Sequence, residues 1–123
     1  MSKKPAKPAK VPVHRAPPPQ QVRIIGGAWK RTPLPVVDAL GLRPTPDRVR
    51  QTVFDWLAPT ITNARCLDLY AGSGALGLEA LSRGARRAVF VERDHQALVV
   101  LRRNLRELGL EDRPHWNFES GDD

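Results

Sequence analysis

The stretch Asp68-Leu-Tyr-Ala-Gly72-Ser-Gly74-Ala-Leu-Gly77 restricts the fold of this chain more than any other. It lies between Arg65–Tyr70, which predicts a buried strand, and a short helix expected from Ala75 to about Arg83 and stopped by Gly84. Glycines in such a turn let the backbone reverse sharply and come close to a ligand. A second strand is expected over Ala88–Val91, ending in Glu92. Asp94 should cap a helix with Leu98, Leu101, Leu105 and Leu108 on one side, stopped by Gly109. His115–Phe118 predicts a third strand. Alternating strands and helices imply parallel strands with right-handed crossovers. The glycine turn then falls at the carboxyl ends of the strands, where open α/β sheets bind ligands. No internal repeat is visible.

The chain before this unit has a different character. Residues 1–20 are rich in Lys, Pro and Ala, include Pro17-Pro18-Pro19, and predict a disordered or polyproline-like tether. Val22–Ile25 is a short β-like run ended by Gly26-Gly27, and residues 28–44 suggest an irregular or hairpin-like basic segment. A helix should begin with Thr45 as N-cap and Pro46 at its first helical position. Val49, Val53, Trp56 and Leu57 would form its apolar face, with Arg48 and Arg50 off that stripe, and Pro59 would end it. The expected division is a tail over 1–20, a basic contact segment over 21–60 and a ligand-binding unit over 61–123.

The net charge of +7 is concentrated at the front. Residues 1–20 hold five basic residues and no acid; residues 21–50 hold Arg23, Lys30, Arg31, Arg43, Arg48 and Arg50 against Asp38 and Asp47. That asymmetry suggests a polyanion held from one end, against the plainer reading of a solubilising tail. One cysteine excludes an internal disulfide and argues against a zinc cluster. No signal-peptide pattern follows Met1, and no apolar run approaches the roughly 18 residues that span a bilayer. A soluble cytoplasmic protein is expected.

Loop and carboxylate together define the ligand class. Glu92, at the next strand end, can accept both hydroxyl hydrogens of an adenosine ribose. Gly72, Gly74 and Gly77 fit the dinucleotide pattern G-x-G-x-x-G, and Asp68 with Gly72 and Gly74 also fits D-x-x-x-G-x-G. An anion beside the loop repels a pyrophosphate but favours S-adenosylmethionine, which carries a sulfonium and an ammonium. S-adenosylmethionine is therefore preferred, with a nicotinamide dinucleotide as the alternative. Elsewhere the bland readings prevail. Cys66, Phe54 and Trp56 are expected in the core, His14 is expected to be idle in the tail and His95 solvated, and His115 has no histidine or cysteine partner at metal spacing. Arg102, Arg103 and Arg106 form a solvated helix face. Trp29 is divided between packing and RNA contact.

Three segments carry a family resemblance: Val22–Arg31, Gly41–Leu57 and Cys66–Gly84. Together they resemble the RsmD family, bacterial enzymes that methylate the exocyclic N2 of a guanine in 16S ribosomal RNA, and the resemblance covers about residues 22–123. The Leu42-Arg-Pro-Thr-Pro-Asp-Arg-Val-Arg50 segment is its most specific part. It implies an α/β, Rossmann-like class I methyltransferase fold, truncated after about the third core strand, with a basic N-terminal extension. It implies that Asp68, Ala71, Gly72 and Gly74 line the methionine and ribose end of the cofactor. Glu92 would hold the ribose hydroxyls, and Asp122 or Asp123 would lie near the adenine amine. Arg23, Lys30, Arg31, Arg43, Arg48 and Arg50 would meet RNA phosphates.

The implied partner is 16S rRNA or the small ribosomal subunit, bound by a monomer, with no metal. One departure matters. The family's catalytic (Asp/Asn)-Pro-Pro-(Phe/Tyr) motif has no match, because the only consecutive prolines are Pro17–Pro19. No catalytic residue is therefore assigned, and the chain alone is expected to be inactive. The competing readings are a fragment of an NAD-dependent oxidoreductase and a non-catalytic RNA-binding remnant.

Overall fold

In the computed structural model the described residues are 21–36, 45–110 and, for the backbone alone, 116–119. The expectations for the 1–20 tail, Arg43, Asp122 and Asp123 lie outside them. The chain begins with β1 (Gln21–Arg23), paired antiparallel with β2 (Pro33–Pro35) and joined to it through a 3-10 turn at Gly27–Trp29. Val22 opposes Leu34 in this pairing, and both are buried. Pro33 and Pro35 cannot donate to a ladder, which suits a two-stranded ribbon and little more.

The helix α1 (Asp47–Ile61) departs from its expected form in three ways. Its N-cap residue is Pro46 and no side chain caps it, so Thr45 lies one position outside. Pro59 does not end it; the helix continues to Ile61. Proline removes the bond to the carbonyl four residues back, here that of Asp55. Asp55 and Pro59 are both on the exposed side, where water can satisfy that carbonyl. The third departure concerns the buried face. Arg50, Phe54 and Ile61 point inward, whereas Trp56 is 75% exposed and Val49 and Leu57 are also exposed. Val53 alone of the expected stripe packs against the core, from its margin.

The reason is a buried ion pair. Arg50 Nη1 donates to Glu79 Oε1 at 3.2 Å, and both side chains are fully enclosed. A guanidinium buried without a carboxylate is far costlier than an exposed valine, so the pair sets the rotation of the helix.

The central sheet follows. Strands β3 (Arg65–Leu69), β4 (Arg87–Val91) and β5 (Trp116–Glu119) are parallel in the order β3-β4-β5. Between them run α2 (Ala75–Ser82) and α3 (His95–Glu107). Asp94 caps α3 as expected, accepting from Ala97 N at 2.8 Å. Cys66, Asp68, Ala88 and Phe90 face the helices, where Phe90 meets Gly77 of α2. A Cβ on Gly77 would lie 2.3 Å from the Phe90 ring, so this helix can approach the sheet so closely only because Gly77 has no side chain. Enclosing a phenyl ring as completely as Phe90 contributes about 1.5–3 kcal/mol.

One core cluster runs from Val22, Ile24 and Leu34 through Phe54 to Leu78, Phe90, Leu101 and Leu105, so described residues on both sides of position 60 share it. Leu67 and Leu69 lie on the opposite face of β3. Leu67 is 62% and Leu69 55% exposed, contrary to the expectation of a fully buried strand. Among the described residues β3 is also an edge strand. No described helix is long and apolar enough to cross a membrane.

Candidate functional site

The turn after β3 is built by positive φ angles. Tyr70 (φ 58°), Gly72 (φ 59°) and Gly74 (φ 91°) are all left-handed. Tyrosine in that region costs about 1–3 kcal/mol, a strain found where a surrounding scaffold enforces it. The scaffold here is the ladder to β4, because Ala71 N donates to Val91 O at 2.9 Å immediately after the kink. Tyr70 is thrown outward, 86% exposed, beside the loop. It was expected as the last residue of the strand, and the strain that sets it apart has no signature in the sequence.

The glycines differ in purpose. A Cβ on Gly74 would strike Leu101 at 2.4 Å, so this position needs both the positive φ and the absent side chain. A Cβ on Gly72 would meet nothing within 4 Å, so the loop is open on that side.

Two carboxylates flank the loop. Glu92 reaches back from the end of β4, and its Oε1 accepts from Gly72 N at 2.7 Å. Its Oε2 accepts from Asp94 N at 2.8 Å and Arg93 N at 3.0 Å. Asp68 lies underneath, and its Oδ2 accepts from Gly77 N at 2.9 Å inside the first turn of α2. Burial pushes the Asp68 carboxyl up from 3.8 to about 6; the Gly77 N–H opposes this and the Glu92 charge adds to it. Burial, and then the charge of Asp68, also raise the Cys66 thiol, which makes it a poor nucleophile. Ala71 is buried and Gly74 N donates back to Ala71 O at 2.8 Å, which closes the turn. Asp68, Ala71, Gly72, Gly74 and Glu92 are thus brought to one loop, open on one side and bordered by acids.

The basic residues divide. Arg23, Lys30, Arg31 and Arg48 are exposed. Arg50, expected to meet RNA, is instead fully buried. Its guanidinium is consumed by Glu79, by the Arg23 carbonyl (3.0 Å), by the Thr45 carbonyl and by Asp47. An enclosed side chain cannot contact a phosphate, so Arg50 is a structural residue.

Its partner Glu79 was not singled out from the sequence. Glu79 accepts from Ile25 N and Gly26 N at 2.9 Å each and from Arg83 Nε at 2.8 Å. Arg83 also lies over the Phe54 ring, 5.3 Å from its centre. Ser82 Oγ accepts from Trp29 N (3.0 Å) and donates to Gly26 O (2.6 Å). The basic ribbon is thereby clamped onto α2. A lone acid in the apolar run Ala75–Leu81 was the available signal, because a buried charge demands a partner.

Ribosomal RNA small subunit methyltransferase D of Escherichia coli is 59% identical over 88 residues, covering 72% of this chain and 44% of that protein. The protein of the same name from Haemophilus influenzae is 51% identical over 88 residues, covering 72% and 46%. The chain thus spans about half the length of the curated relatives it matches. Among solved structures, the E. coli protein yhhF superposes with a TM-score of 0.73 at 47% identity, over 84% of this chain and 54% of that one. An RNA methyltransferase from Salinibacter ruber, solved with S-adenosyl-L-homocysteine, gives 0.55 at 29% identity, over 65% and 50%. The architecture is the Rossmann-like class I methyltransferase fold. The family model described as "Conserved hypothetical protein 95" matches residues 22–121, and the chain belongs to that family, the RsmD family.

Proposed function

We propose that this chain is the cofactor-binding part of an S-adenosylmethionine-dependent methyltransferase that modifies a guanine N2 in 16S ribosomal RNA. The observation that carries the reading is the loop open at Gly72 and bordered by Asp68 and Glu92. Two carboxylates beside a ligand loop suit a molecule with a sulfonium and an ammonium and disfavour a pyrophosphate. Asp68, Ala71, Gly72 and Gly74 would hold its methionine and ribose end. Glu92 would exchange its bond to Gly72 N for ribose hydroxyls. Asp122 or Asp123 would lie near the adenine amine. The names of the relatives, which are rRNA methyltransferases, support the substrate class.

Bound S-adenosylmethionine supplies an electrophilic methyl with a good leaving group. The protein's part is to place a poor nucleophile, the guanine amine, in line with it. A base in structured RNA has to be splayed out for this. Arg23, Lys30, Arg31 and Arg48 would hold the RNA backbone meanwhile, with Arg43 as a further candidate, in a strongly salt-dependent contact. The sequence has no (Asp/Asn)-Pro-Pro-(Phe/Tyr) motif to orient the amine. The 123 residues are accordingly proposed to bind cofactor and RNA, as a cytoplasmic monomer, without transferring a methyl group alone.

Calorimetry with S-adenosylhomocysteine and with NAD tests the reading. Binding of the first and not the second is expected. Binding of NAD alone would favour the oxidoreductase alternative and end this proposal. RNA binding whose affinity does not fall with added salt would remove the proposed role of the basic residues.

A further inference from the structure

Asn104 is a fully buried amide on α3, among Leu101, Leu105 and Ala97. Its Nδ2 donates two hydrogen bonds of 3.0 Å each, one to the carbonyl of Pro35 and one to the carbonyl of Ser73. Among the described residues its Oδ1 has no partner. A leucine of similar shape would fill the same space without carrying an unmatched Oδ1, so packing does not account for an amide here. The two donated bonds do. Pro35 ends β2, in the ribbon that carries exposed Arg23, Lys30 and Arg31. Ser73 stands between Gly72 and Gly74 in the ligand loop. Both hydrogens of an amide lie in one rigid plane, so a single sp2 nitrogen fixes the Ser73 carbonyl relative to the Pro35 carbonyl. Glu79 and Ser82 tie the other end of the ribbon to α2, whereas Asn104 reaches the loop itself.

We propose that Asn104 is a positioning residue that couples RNA binding on the basic ribbon to cofactor binding in the glycine loop. The inference rests on the function proposed above. RNA phosphates on Arg23, Lys30 and Arg31 hold the clamped ribbon, and with it Pro35, in one position. Holding Pro35 fixes the Asn104 amide plane, and the loop carbonyl is then set before cofactor arrives. The effect is reciprocal, because linkage requires each ligand to change the other's affinity by one factor.

The test is calorimetry on the whole 123-residue chain. S-adenosylhomocysteine affinity is measured with and without a saturating small-subunit rRNA hairpin, and RNA affinity with and without S-adenosylhomocysteine. In the unsubstituted chain each ligand should tighten the other about fivefold or more. In Asn104→Leu, which keeps the shape and loses both donors, the factor should fall to about one, while each ligand still binds alone. Asn104→Ser, a smaller change, should do the same and serves if the leucine variant does not fold. Arg48→Ala should weaken RNA binding yet keep the coupling factor, because it touches neither carbonyl.

A purely structural Asn104 would lower the melting temperature of both variants with the coupling factor intact, and that result overturns the proposal. A factor of one in the unsubstituted chain, with both ligands bound, overturns it while leaving the proposed function standing. Failure to bind either ligand removes the proposed function and this inference together.

Discussion

Lowering the pH from 7 to 5 should weaken S-adenosylmethionine binding about tenfold, with Asp68 as the cause. A carboxyl titrating at about 6 is about nine-tenths ionised at pH 7 and about one-tenth at pH 5. If the charged ligand requires the carboxylate, affinity follows that fraction. The same group moves the stability of the free chain in the opposite direction. Its folded value lies above the ordinary 3.8, so between about pH 4 and 6 the folded chain holds more protons than the unfolded one. The stability Asp68 contributes is therefore fully present below about pH 4 and lost as the pH rises through about 6, a loss of about 3 kcal/mol. Asp68→Asn should remove both dependences, because the amide oxygen can still accept from Gly77 N but carries no charge.

The assay pairs calorimetric titrations at pH 5, 6 and 7 with urea denaturation of both proteins over the same range. Differences between parent and variant isolate Asp68 from the other carboxylates. Affinity that is flat from pH 5 to 7, or equally pH-dependent in Asp68→Asn, would refute the argument that the buried acid recognises the cation.

Other perturbations read other parts of the structure. Gly77→Ala should cost about 1–3 kcal/mol by overpacking against Phe90, measured by urea denaturation, and Phe90→Leu should recover part of it in the double variant. Glu79→Gln should cost about 3–5 kcal/mol, because it leaves the Arg50 guanidinium enclosed without its buried anion. A loss below about 1 kcal/mol would contradict the buried pair. Arg48→Ala should change stability by less than about 0.5 kcal/mol and reduce the slope of log affinity for RNA against log salt by about one. Leu67→Lys, at an exposed position of β3, should also change stability by less than about 0.5 kcal/mol in urea denaturation, and a larger loss would contradict its exposure.

Where local rules govern, the sequence was enough. Asp94 caps α3 through a bond three residues away and Gly72 and Gly74 turn the chain through their own φ angles, and alternation around them sufficed to place β3, α2, β4 and α3. The acids Asp68 and Glu92 could likewise be read as flanking the loop, because a strand end and the turn after it are fixed by topology.

What escaped the sequence depends on partners far along the chain. Arg50 looked like a surface cation because Val49, Val53, Trp56 and Leu57 form a better apolar stripe; only Glu79, twenty-nine residues away, turns it inward. Asn104 was not singled out from the sequence, and its hydrogen bonds go to two carbonyls that sequence separates by 69 and 31 residues. The position of Tyr70 needed the β4 ladder to hold its strained backbone. Periodicity measures apolar surface, and these residues are fixed instead by hydrogen bonds that only the folded chain brings within reach.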